Sequence, residues 1–273
     1  MGAKYSREQF AARLEANGDP KLNAAADFAA RLLNGPAGEA VARIVLFGSV
    51  ARGEARPESD VDVLVIGTDS LASLSRALAH ASAEAVIDSG ELVAPIGYGA
   101  THLFLPTSYF VWAALDEGRE IYAMKEVTLR RRAAAGLLRK ARRLLRQSED
   151  SFARDSYELA IDGGYTAAEH AAKGAIMLKP GVKLPTTHGG VAQVFGREYV
   201  RTGEAPAEWS DLLQQKLELR SRAMYDYQSE PVEEEVRHTL DFAGQMVGFL
   251  QKQLDALPPE DDLSPETSGD AEP

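Results

Sequence analysis

The sequence predicts an α+β protein in two parts: a small mixed-sheet domain, then an all-α helical bundle. Three observations carry this. Short apolar runs alternate with helical segments from about residue 41 to residue 123. After about Lys125, helical periodicity dominates and strand-like runs stop. The composition, 45% hydrophobic and 26% charged over 273 residues, is that of a folded globular chain with room for one large domain or two ordinary ones.

The elements follow in order. Residues 5–34 have apolar positions at helical spacing, broken at Gly18-Asp19-Pro20 and Asn34-Gly35-Pro36. Residues 41–47 read as a first strand and 61–66 as a second. Leu71 to Ala85 is an alanine- and leucine-rich helix, and Glu91 to Pro95 a short third strand. Ser108 to Glu117 is helical, and Glu120 to Ala123 a short edge strand. Helices are then expected over 126–149, 151–178, 187–200, 207–227 and 232–255, with breakers at Lys179-Pro180-Gly181, Pro185 and Gly203 to Pro206. The expected domains are 1–125, 126–256 and an acidic, proline-rich tail over 257–273, which should be disordered.

Several function classes fall away. There are no cysteines, so disulfides and thiolate zinc sites are excluded. Five scattered histidines argue against a histidine-rich metal site. No apolar run reaches the length of a membrane span, and Met1 to Tyr5 lacks a signal core, so the expected compartment is the cytoplasm. A net charge of −11 argues against non-specific nucleic-acid binding. The segment Arg130 to Arg146 runs against that balance, with eight bases and no acid. A helix-long band of this kind is a solvated face or, with RNA or an acidic substrate, a binding surface.

The chemistry concentrates between residues 44 and 66. Ile44 to Phe47 is apolar, Gly48-Ser49 is a turn, and Asp60-Val61-Asp62 opens a second apolar run. Buried carboxylates are costly unless paired or metal-bound. Two residues apart on a strand, Asp60 and Asp62 share one face. Oxygen-only ligands suit magnesium or manganese, which take one or two carboxylates together with substrate phosphates. Gly48 allows a sharp turn, and the amides and hydroxyl at Ser49 suit phosphate oxygens. Arg52 adds charge to that phosphate site. The Gly-Lys-Ser/Thr ending of a Walker A loop is missing.

Gly48-Ser49, ten residues, then Asp60-x-Asp62, with Phe47, Ala51-Arg52-Gly53 and Ser59 around them, resembles the signature of the minimal nucleotidyltransferases of the polymerase-β-like superfamily. The resemblance covers about residues 40–123. It implies that Gly48 and Ser49 hold a nucleoside triphosphate, with ATP the expected donor, and that Asp60 and Asp62 bind Mg2+ or Mn2+. It also implies a third acid on a later strand, as metal ligand or as base toward the acceptor hydroxyl. Glu91, which opens the third strand, is the candidate; Asp88 is the rival.

The second half, about 126–255, resembles the HEPN domain, a helical module often found beside such transferases. The resemblance rests on Tyr165 to Lys173, Pro185 to Gly190, Val194 to Val200 and Leu219 to Tyr227. Many HEPN domains are ribonucleases with an arginine followed at four to six residues by a histidine. Here Arg220 and Arg222 are followed by Tyr225 and Tyr227, so no ribonuclease activity is expected. Arg222 and Tyr225 share a helix face and either line a pocket between the domains, with Tyr227, or fix the bundle. His188 and His170 read as capping or packing residues.

The expected function is transfer of a nucleoside monophosphate, AMP from ATP, to a hydroxyl or phosphate of a small molecule, protein or RNA. The alternatives are a nucleotide-binding module without transfer, and a toxin–antitoxin-type fusion that modifies Tyr225 or Tyr227 of its own HEPN half. The expected partners are a nucleoside triphosphate and an acceptor not named by the sequence. The HEPN resemblance implies a homodimer. No membrane partner is expected, and the sequence leaves nucleic acid open.

Overall fold

A computed structural model describes residues 4–68, 70–105 and 108–258. The chain divides into two units, Met1–Gly136 and Leu137–Pro273. From residue 259 on, the predicted tail lies outside the described residues.

In the first unit two helices, α1 (Arg7–Arg13) and α2 (Pro20–Asn34), precede the sheet. The Asp19 carboxylate accepts from the Lys21 and Leu22 amides, and Pro20 has no amide to leave unpaired; together they set the start of α2. The strands β1 (Val41–Leu46), β2 (Val61–Gly67), β3 (Val93–Gly99) and β4 (Arg119–Ala123) lie in the order β3-β2-β1-β4. β1 runs antiparallel to β2 and β4, while β2 and β3 are parallel, joined by α4 (Leu71–Ser89). A short helix α3 (Gly48–Ala51) follows β1; α5 (Thr101–Phe104) and α6 (Tyr109–Glu117) lead into β4.

Alternation in β2 separates two faces. Val61, Val63 and Val65 join Ile44, Leu46, Val93 and Ile121 in a core with Phe28 and Leu32 of α2 and Leu74 and Leu78 of α4. Asp62 therefore points to the opposite face. The third strand lies two residues later than expected and runs through Pro95. Proline is tolerated there because β3 is an edge strand with one row of amides unpaired. Gly97 fits where a Cβ would press on Leu74 and Leu78.

The second unit is helical. α7 (Glu126–Phe152) crosses the unit division, and α8 (Tyr157–Leu178), α9 (His188–Phe195), α10 (Trp209–Tyr225) and α11 (Glu233–Asp255) follow. α7 outruns its predicted end. The chain turns at Asp155, in the left-handed region at φ 56°, and α8 starts later than predicted. Gly196–Val200 continues α9 as a π-helical turn. Phe195, Tyr199, Trp209, Phe242 and Phe249 form one aromatic cluster. The alanine- and glycine-rich face of α8 lets α11 approach closely: a Cβ on Gly164 would sit 3.1 Å from Thr239 Cγ2.

Candidate functional site

Asp62 is the second residue of β2 and is half-buried; Asp60 lies just before the strand and is exposed. Burial, then the neighbouring Asp60 charge, hold the Asp62 carboxyl above its ordinary range, and Arg52 opposes them. The two aspartates are thus electrostatic neighbours.

Gly48 meets this pair directly. Its φ of +72° lies in the left-handed region, and a Cβ there would collide with Asp62 Oδ2. The Phe47 amide donates to the Asp62 carbonyl at 3.0 Å and ties the turn to the strand. Sequence reasoning assigned the glycine to approach of a ligand; the close approach observed is to the aspartate itself. Gly48 opens α3, whose first amides have no intrahelical partner. Ser49 follows, half-buried. Arg52 is exposed and pairs with Glu54 at 2.8 Å. Glu117 of α6 also lies within electrostatic reach of Arg52, on a slot of about 140 Å3 lined with Phe47, Gly48 and Phe110.

Glu91 does not join the aspartates. Val61 pairs with Val93 and Asp62 with Ala94. Two residues before Val93, Glu91 has that residue's parity and points to the helix-covered face, away from Asp62. There its Oε2 accepts from Lys21 Nζ at 2.6 Å. Asp88, the rival, lies in the last turn of α4 and is held by Arg31. Among the described residues no group of three or more His, Asp or Glu side chains converges on one point. Two carboxylates still suit one magnesium ion that also takes substrate phosphates.

Lys21 is a site residue that sequence reasoning missed. It is 8% exposed and donates to the Pro57 carbonyl at 3.1 Å, the Ser59 carbonyl at 2.7 Å and Glu91. A buried ammonium needs such partners. Here they fix the loop that delivers Asp60. A lysine in the first turn of an ordinary helix carries no sequence signal of this role.

In the second unit Arg220 pairs with Asp162 at 2.6 Å and lies over the Tyr165 ring, while Arg222 pairs with Glu235 of α11 at 2.6 Å. Tyr225, the last residue of α10, is 76% exposed and Tyr227 93%. His188 is no cap: Thr187 Oγ1 accepts from the Gly190 amide, and His188 Nδ1 meets the buried Glu169 at 2.5 Å, with Lys173 at 3.2 Å on the other oxygen. His170 is largely buried and its Nδ1 has no partner.

Comparison with known proteins agrees with both halves. Residues 31–97 match the nucleotidyltransferase domain family and residues 134–253 the HEPN domain family. A protein of Methanocaldococcus jannaschii, named as a candidate toxin, is 28% identical over 104 residues, 38% of this chain and 69% of its own length. A nucleotidyltransferase-like protein of Exiguobacterium sibiricum aligns over 77% of this chain and 69% of its own at 14% identity and a TM-score of 0.34. That likeness is too remote to argue from.

Proposed function

We propose, for a chain that joins a nucleotidyltransferase domain to a HEPN domain, magnesium-dependent transfer of AMP from ATP to an oxygen acceptor, with pyrophosphate leaving. The observation that carries the reading is the contact of Gly48 with the Asp62 carboxylate. It sets the Gly48-Ser49 turn against Asp62 of β2, whose electrostatic neighbour Asp60 lies just before the strand.

Gly48 and Ser49 would hold the triphosphate through backbone amides and the serine hydroxyl. Arg52 would add charge to the same phosphates. Asp60 and Asp62 would hold Mg2+ or Mn2+, which when bound offsets charge on the phosphates and on the leaving pyrophosphate. Lys21 and Glu91 would keep the Asp60 loop in place without touching substrate. Among the described residues no helix is long and apolar enough to cross a membrane.

The test is incubation with α-labelled ATP, magnesium and cell extract. Label should appear on one acceptor class, and Asp60→Asn/Asp62→Asn should lower it by about 100-fold or more, roughly 3 kcal/mol of lost transition-state stabilisation. Equal labelling by wild type and the double variant would refute the reading.

A second reading is a toxin–antitoxin-type fusion whose acceptor is its own HEPN half. The exposure of Tyr225 and Tyr227 favours it, since both hydroxyls reach solvent. Mass spectrometry after incubation with ATP should then find AMP on one of these tyrosines.

A further inference from the structure

The register of β3 has a consequence for the metal and for the acceptor. Alternate residues of β3 share the face of Asp60 and Asp62. Ala94 stands directly beside Asp62 and Ile96 beside Leu64, while the Leu92 carbonyl accepts from the Val61 amide next to Asp60. Leu92, Ala94 and Ile96 are all apolar. On the other side of Asp62, β1 runs into Phe47 and Gly48, which carry no ligand. The acid nearest in sequence, Glu91, is turned to the opposite face and held there by Lys21, itself 8% exposed and engaged with two carbonyls. Releasing Glu91 would leave that ammonium buried beside neutral partners only. Asp88 belongs to an ion-pair cluster with Arg31 that also contains Asp27 and Glu84.

We infer that this site takes a single divalent ion, on Asp60 and Asp62 together with nucleotide phosphates, and that it suits an acceptor whose attacking oxygen is already anionic. The inference rests on the nucleotidyl-transfer reading and narrows it. Two carboxylates and the phosphates complete one octahedral ion, with water filling the rest. A second ion would need a third acid beside the pair; among the described residues none converges there, and Ala94 stands at the neighbouring position of β3. In the transfer, an acceptor oxygen forms a bond to the α-phosphorus. The bond from that phosphorus to the bridging oxygen breaks, and pyrophosphate leaves with the electron pair. A neutral hydroxyl must also give up its proton to a base. A phosphate monoester or a carboxylate has no such proton near neutral pH, so the apolar residues of β3 beside the pair cost it nothing.

The number of Mn2+ ions bound per chain, counted by electron paramagnetic resonance with a non-hydrolysable α,β-methylene ATP present, tests this without turnover. Wild type should bind one, and Ala94→Asp should bind two; Ala94 is only half-buried, so the larger side chain has room. Ala94→Asn should stay at one. Two ions on wild type would overturn the inference and leave nucleotidyl transfer standing. No ion with nucleotide would overturn both. In a second arm, α-labelled ATP is supplied with wild-type protein and an alcohol together with its phosphate monoester. Label on the monoester supports the acceptor class; label on the alcohol, or on Tyr225 or Tyr227, overturns it.

Discussion

Lys21 shows how one residue can hold a site without belonging to its chemistry. Its ammonium is nearly sealed from water and bonded to two loop carbonyls and Glu91. Removing one partner of a buried ion pair leaves an uncompensated charge and costs about 3–5 kcal/mol. Glu91→Gln is therefore expected to destabilise more than Lys21→Met, which leaves the unpaired charge on Glu91, the more exposed partner (side chain 23% against 11%), and keeps the stem's packing. Urea unfolding of the two variants measures this, and equal midpoints would contradict it. Both should weaken metal binding through the displaced Asp60 loop. The sequence offered Glu91 as a ligand because it stands near a strand start. Its true partner lies 70 residues away, beyond the reach of any local pattern.

At the scale of elements, glycine has opposite meanings in neighbouring helices. Gly164 of α8 faces Thr239 and Leu240, where a Cβ would sit at 3.1 and 3.3 Å. Gly244 of α11 has nothing within 4 Å of a Cβ. Gly244→Ala should raise stability by roughly 0.5–1 kcal/mol through helix propensity alone. Gly164→Leu should lower it by about 1–3 kcal/mol through overpacking. Denaturant midpoints decide both, and a stabilising Gly164→Leu would contradict the close approach of α8 and α11. Helical periodicity made these helices legible. It did not show which face α11 covers, since alanine and glycine mark α8 on several sides. β3 was ended too early, at Pro95: Gly97 and Gly99 argue against a strand, and only the edge position and the close packing of Gly97 on Leu74 and Leu78 make them tolerable.

For the whole molecule, His170 sets an acid limit. Burial first, then Lys140 and Lys173, push its pKa from 6.5 down to about 4. The fold thus keeps the imidazole neutral, while the unfolded chain takes up a proton near pH 6.5. Fewer protons are bound in the fold, so this contribution is complete above about pH 6.5 and is lost as pH falls toward about 4. The full loss is about 3 kcal/mol. His170→Leu should flatten the stability profile between about pH 7 and about pH 4.5, seen in urea midpoints. An unchanged acid slope would show that His170 is not responsible.

The sequence by itself determined the two halves of this protein and the core of its site. Gly48, Ser49, Asp60 and Asp62 lie within fifteen residues on a strand–turn–strand unit. Local chemistry dictates such a unit: a glycine free of a Cβ, an apolar alternation and two acids that break it. Tertiary structure alone decided what surrounds that pair. The parallel register of β2 and β3 puts Ala94 beside Asp62 and turns Glu91 to the other face. A shift of one residue would have reversed both, because side chains on a strand alternate with a period of two. That register is set by packing against α2 and α4, through contacts distant in sequence. For this reason the third carboxylate could be named from the chain but not placed.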